Sequence, residues 1–206
     1  MRKAIWYFDF ISPFAYICLH RLKELPADLQ IEYRPVLFAG ILNHWGQKGP
    51  AELPTKRRYT YRWSHWWANH LGIPLRFPAA HPFNPLHHLR LAIACGSTPA
   101  AIGAIFDEVW TTGADASDPA RFAALSRKLG VAEISQEAKD SLRKNTDEAL
   151  QHGVFGVPTF EVDGELFWGA DSMEFLKDFL ANPAVIKNPE MQRLDGLPAA
   201  AARRIS

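Results

Sequence analysis

Phe8-Asp9-Phe10-Ile11-Ser12-Pro13-Phe14-Ala15-Tyr16 places a single hydroxyl where the chain changes from strand to helix. Upstream, Ala4-Ile5-Trp6-Tyr7-Phe8 is an unbroken apolar run that reads as a buried strand. Downstream, Pro13 suits the first position of a helix, where its missing N–H would have had no partner anyway. Ser12 therefore falls on the corner, among unpaired N–H groups and the positive end of the helix dipole. Such a corner favours an anion, and a thiolate is one. Serine is also a favoured N-cap, and taken alone Ser12 need do no more than start its helix.

A second segment changes that balance. Gly153-Val154-Phe155-Gly156-Val157-Pro158-Thr159-Phe160-Glu161-Val162-Asp163-Gly164-Glu165-Leu166-Phe167-Trp168-Gly169 carries Asp-Gly between two apolar runs, a strong hairpin signal because both residues accept positive φ. Pro158 opens the first hairpin strand, where a missing N–H is tolerated. The local sequence favours a trans bond there, since only about 5–6% of X-Pro bonds in folded proteins are cis.

These two segments, completed by Trp168-Gly169-Ala170-Asp171, resemble the 2-hydroxychromene-2-carboxylate isomerases and their relatives, the kappa-class glutathione transferases. The likeness spans nearly the whole chain and fades after about residue 182. It implies an α/β fold: a thioredoxin-like domain (1–40 and 151–182) interrupted by an all-helical insertion (41–150), with an extension at 183–206. It also implies a cis Val157-Pro158 bond. Where disulfide oxidoreductases of related fold carry Cys-Pro-x-Cys, this chain has Ser12-Pro13-Phe14-Ala15. The anion site remains without the chain's own thiol, so the sulfur is expected to arrive on a ligand.

Composition fits a soluble chain of 206 residues, 48% hydrophobic and 22% charged. A net charge of +1 gives no reason to invoke nucleic acid or an anionic membrane. No apolar run approaches the roughly 20 residues of a membrane helix, and Asp9 and Pro13 interrupt any signal-peptide core, so a cytoplasmic location is expected. Cys18 and Cys95 have no metal-type spacing, the histidines are scattered, and no metal site is expected. Cys18 reads as a small buried hydrophobe of the first helix.

Along the chain, strands are expected at 3–8 and 30–36 with a helix over 13–25 between them. Helical spacing dominates from about 40 to 150: 55–70, then 85–95 capped by Asn84, 100–110, 119–129 started by Asp118, and 135–152 started by Ser135. Asp171, three residues before Glu174, suggests a capping box opening the last helix. Residues 183–206, with three prolines and Arg203-Arg204, read as loosely held or partly disordered.

The resemblance implies glutathione as the cofactor and a small aromatic carboxylate as the substrate, with a homodimer possible. Ser12 is the expected donor to the glutathione sulfur. Val157 is expected to pair its main chain with the cysteinyl part, and Asp171, with Ala170 beside it, to hold the glutamyl ammonium; Pro158, Trp168 and Gly169 are expected among the cofactor-binding residues. Capping remains the competing role for Asp171. Gln47 and Lys56 match contacts to the glycyl carboxylate, although Gln47 departs from the expected asparagine and Lys56 could belong to a solvated helix face. Asn84 resembles a substrate-contacting position, against a simple capping role, and Phe14 offers flat apolar surface suited to an aromatic ring. Trp45, Trp63, Trp66, Trp67 and Phe83 offer further apolar surface, and Arg57, Arg58 and Arg62 could meet a carboxylate. The implied reaction is cis–trans isomerisation of ring-opened 2-hydroxychromene-2-carboxylate to trans-o-hydroxybenzylidenepyruvate through a transient glutathione adduct. A kappa-type transferase, or a thiol- or peptide-binding module without catalysis, is the alternative.

Overall fold

A computed structural model describes residues 2–201. Four strands, β1 (Lys3–Phe8), β2 (Gln30–Pro35), β3 (Thr159–Val162) and β4 (Glu165–Trp168), form one sheet in the order β2-β1-β3-β4. β1 runs parallel to β2 and antiparallel to β3, which pairs antiparallel with β4. β1 is thus central and buried on both sides, the reason its sequence is a run rather than an alternation.

Its alternate side chains build two cores. Trp6 and Phe8 stack at 4.5 Å on one face and meet Phe160 and Phe106, with Phe10 at 4.6 Å from Phe106. Tyr7 faces the other way, into Val36, Ile41, Ala149, Val154 and Val157. The first face is covered by α1 (Pro13–Arg21) and α5 (Pro99–Trp110), the second by α2 (Phe38–His44) and α7 (Gln136–Gln151). Between α2 and α5 lie α3 (Pro54–His70) and α4 (Leu86–Ala94), and α6 (Pro119–Lys128) precedes α7. The expected α/β architecture, with helices inserted between the β1–α1–β2 unit and the hairpin, is therefore present.

Several elements follow the expected signals. Asp118 caps α6 by accepting from Ala120 N and Arg121 N, and Ser135 caps α7 through Ala138 N. Asp163 (φ 52°) and Gly164 (φ 85°) make the hairpin turn. Others differ. α1 ends at Arg21 and continues as a 3-10 turn over Leu22–Glu24, because Pro26 holds Leu25 in an extended conformation. α4 begins one residue later than expected: Pro85 is its N-cap, while Asn84 accepts from Leu86 N.

The chain divides into two compact units, one through Ala170 and one from Asp171. In the second unit α8 (Met173–Ala181) does not start from an Asp171 capping box. A 3-10 turn over Ala170–Ser172 makes Ser172 the N-cap, which leaves Glu174 at N2 instead of N3. The segment expected to be loose contains a 3-10 turn at Pro183–Lys187 and α9 (Pro189–Asp195), each started by an asparagine cap. Arg203-Arg204 lie outside the described residues.

Candidate active site

Ser12 is the N-cap of α1, extended at φ −93° and ψ 115° and only 7% exposed. Its Oγ accepts from Ala15 N at 3.2 Å, so the hydroxyl proton is left to donate. Its carbonyl accepts from Ala15 N and Tyr16 N. Among the described residues Phe14 N–H has no hydrogen-bond partner. A hydroxyl proton and an amide without acceptors among the described residues therefore both lie at the positive end of α1, which is chemistry for an anion.

The backbone leading into Ser12 is held from several sides. Asp9 is fully buried: its Oδ1 accepts from Ile11 N at 3.1 Å and its Oδ2 from Phe38 N at 2.9 Å. Burial pushes its carboxyl up to about 7, against the Phe38, Ile11 and Phe10 N–H groups that favour the ionised form. Ser12 N donates to Asp9 O at 3.1 Å. Trp110 Nε1 donates to Phe10 O at 2.9 Å, and His81 Nε2 to Ile11 O at 2.8 Å. Neither Asp9 nor His81 is among the site residues expected from the sequence. A charged or titratable residue within an apolar motif was the only available signal, and its partners are 29 and 70 positions away.

Phe14 turns toward α3. Its ring lies 5.0 Å from Trp63 and 6.4 Å from Trp67. Tyr59, Trp63 and Trp67, at successive four-residue steps, stack in a ladder, with Trp63 and Trp67 at 5.7 Å and 3°. Arg21 stands 5.9 Å over Trp67. Only Ser64 and Ala68 of this helix are buried, so the ladder is a partly open wall against Phe14, which follows Ser12 by two residues. Trp66 is not part of it: it stacks on His70 and is 60% exposed. Phe83 is buried against His81 and His88, and Trp45 donates from Nε1 to Val154 O. Arg57, Arg58 and Arg62 are all exposed, as are Lys56 in the first turn of α3 and Gln47 after α2. Asn84 is exposed and bonded only to Leu86 N among the described residues.

Pairing of Tyr7 with Thr159 brings Pro158 to the end of the sheet where β1 runs into the corner. The Val157-Pro158 bond is cis, as the resemblance implies and the local sequence does not. Pro158 O accepts from Gly169 N at 2.8 Å. Val157 buries its side chain, yet among the described residues neither its N–H nor its C=O has a hydrogen-bond partner. Trp168 is 54% exposed and packs on Phe155 at 5.2 Å. Ala170 O is held by Arg21 Nη1 at 2.8 Å. Asp171 is exposed, and among the described residues its carboxylate has no hydrogen-bond partner. The chain's own thiols are poor nucleophiles: burial pushes both Cys18 and Cys95 up. Among the described residues no group of His, Cys, Asp or Glu is placed to hold a metal, and no helix is long and apolar enough to cross a membrane.

The sheet order, the serine-capped corner and the cis-proline hairpin define a thioredoxin-fold protein without a redox cysteine pair. Residues 4–181 match the family model described as the DSBA-like thioredoxin domain. A 2-hydroxychromene-2-carboxylate isomerase of Sphingobium xenophagum is 31% identical over 193 residues, covering 87% of this chain and 99% of its own. Glutathione S-transferase kappa 2 of Caenorhabditis elegans is 28% identical, covering 88% and 93%. A solved 2-hydroxychromene-2-carboxylate isomerase superposes with a TM-score of 0.74 at 28% identity, covering 92% of this chain and 98% of that one. The chain belongs to the DSBA-like thioredoxin family and, within it, to the 2-hydroxychromene-2-carboxylate isomerases, with the kappa-class glutathione transferases as relatives.

Proposed function

We propose that this chain is a glutathione-dependent isomerase of ring-opened 2-hydroxychromene-2-carboxylate or a related aromatic catabolite. One observation carries the reading: a thiol-free anion corner at Ser12 opens beside the Phe14–Trp63–Trp67 wall. A tripeptide with a free thiol fits the rest. Val157 offers an unpaired N–H and C=O to an extended backbone, as in strand addition. The resemblance assigns Asp171 to the glutamyl ammonium, and the N-cap of α8 is Ser172, not Asp171. Trp168, Gly169 and Ala170 border the same end of the hairpin as Pro158, and Gln47 and Lys56 are exposed for the glycyl carboxylate.

Bound glutathione would supply a nucleophilic sulfur for reversible covalent catalysis at the conjugated carbon, held at the Ser12 corner and along Val157. The chain's part is to keep that sulfur ionised and oriented. Lowering a thiol pKa by about two units requires about 2.7 kcal/mol of preferential thiolate stabilisation. A partly buried helix end supplies up to ~2 kcal/mol and a hydrogen bond to a charged group ~1.5–3 kcal/mol. Ser12 Oγ–H and Phe14 N–H are the donors, with Phe14 and Asn84 toward the aromatic substrate and the arginines of α3 toward its carboxylate.

The test is a pH titration of thiolate absorbance with glutathione on the native chain and on Ser12→Ala. The variant is expected to raise the apparent thiol pKa and to lower isomerisation by about 10²-fold, the usual cost of one donor to a developing anion. Equal pKa values would remove Ser12 from this role. Likeness to the kappa-class transferase keeps a second reading, in which the sulfur stays in the product. Stoichiometric consumption of glutathione with an electrophilic aromatic selects that reading; turnover without consumption selects the isomerase.

A further inference from the structure

The two peptide planes before Ser12 are each held at both ends. Of the Phe10–Ile11 plane, the C=O accepts from Trp110 Nε1 and the N–H donates to Asp9 Oδ1. Of the Ile11–Ser12 plane, the N–H donates to Asp9 O and the C=O accepts from His81 Nε2. Rotation of that second plane would swing the Ser12 hydroxyl off the helix axis, and His81 is the side chain that opposes it. The imidazole is itself fixed. A carbonyl only accepts, so Nε2 carries the proton, and Nδ1 then presents a lone pair to the Tyr61 hydroxyl at 2.6 Å, whose single proton also faces the His81 carbonyl at 2.8 Å. Phe77, Trp110 and Phe83 surround the ring at 5.8, 5.6 and 6.1 Å. Burial there lowers its pKa and favours the neutral ring, whose Nε2–H tautomer the Ile11 carbonyl selects.

We propose that His81, oriented by Tyr61, is a positioning residue for the sulfur site, fixing the Ile11–Ser12 peptide so that the Ser12 hydroxyl and Phe14 N–H converge on one point. The role rests on the glutathione reading above. It makes the loop between α3 and α4 part of the thiolate machinery without contact to the sulfur. An anion held by two donors is sensitive to their aim, because hydrogen bonds weaken steeply with angle.

The experiment titrates the thiolate absorbance of glutathione bound to the native chain, His81→Leu, His81→Gln and Tyr61→Phe, with unfolding midpoints recorded alongside. His81→Leu removes the donor and is expected to lower the thiolate fraction at neutral pH by about threefold or more, toward the Ser12→Ala value. His81→Gln, whose amide Nε2 can reach the Ile11 carbonyl, is expected to recover most of that loss. Tyr61→Phe should shift the titration the same way by less. A folded His81→Leu that titrates like the native chain overturns the role, as does a folded His81→Gln that fails as badly as the leucine. Should His81→Leu not fold, a native titration in Tyr61→Phe overturns it instead. A native chain with no thiolate signal at all overturns the glutathione reading and this role together, an outcome distinct from the others.

Discussion

Gly156 shows how one missing side chain shapes the proposed binding edge. A Cβ there would lie 2.4 Å from Trp168 Nε1, so the indole occupies space that only glycine leaves. Gly156→Ala is expected to displace Trp168 and weaken glutathione binding about tenfold, equivalent to ~1.4 kcal/mol, measured by quenching of tryptophan fluorescence. Asp9 makes a different prediction, on stability. Its folded pKa of about 7 lies above the ordinary carboxyl value, so the folded state holds the proton more tightly than the unfolded one. That contribution is present at low pH and is lost as pH rises through the window between about 4 and 7. Urea unfolding of the native chain and Asp9→Asn should therefore show the native chain losing ground to the variant as pH rises from 5 to 8. A constant gap would show that Asp9 is ionised throughout.

Among the elements, the hairpin and α2 are opposites. Asp163-Gly164 encodes its turn locally, and both residues have the positive φ the turn requires. Gly164→Ala, at φ 85°, is expected to destabilise the fold by ~1–2 kcal/mol without altering the apparent thiol pKa, checked by thermal unfolding and the same titration. α2 has no such local signature. Its N-cap, Leu37, makes no side-chain cap, and the first amides are met from elsewhere: Leu37 N by Thr146 Oγ1 and Phe38 N by Asp9 Oδ2. Residues 109 and 29 positions away do the capping, so no window along the chain could mark where this helix starts. The same holds for α8, where Asp171 and Glu174 have the spacing of a capping box but a 3-10 turn shifts the register by one.

At the level of the whole first unit, the helices inserted between β2 and β3 do more than cover the sheet. Trp110 from α5, His81 from the loop before α4 and Phe38 from α2 all bond to residues 9–11, at the mouth of β1. The corner is therefore assembled only when the insertion is docked. Trp110→Phe keeps the ring in the aromatic core but leaves the buried Phe10 carbonyl without its donor. It is expected to cost ~1–3 kcal/mol in denaturant unfolding and to raise the apparent thiol pKa as well. A loss of stability with an unmoved thiol titration would separate the insertion from the site.

The chain's local grammar was enough to place the β1–corner–α1 start, the hairpin, and the caps at Asp118 and Ser135. Each depends on neighbours within a turn of one another, where periodicity and side-chain-to-backbone bonds act directly. Folding alone decided which aromatics face the corner: Trp63 and Trp67 join Phe14, while Trp66 turns to His70 and Phe83 enters the core. It also supplied the partners of Asp9 and His81, since a buried donor or acceptor takes whatever complement tertiary packing brings within about 3 Å, however distant in sequence.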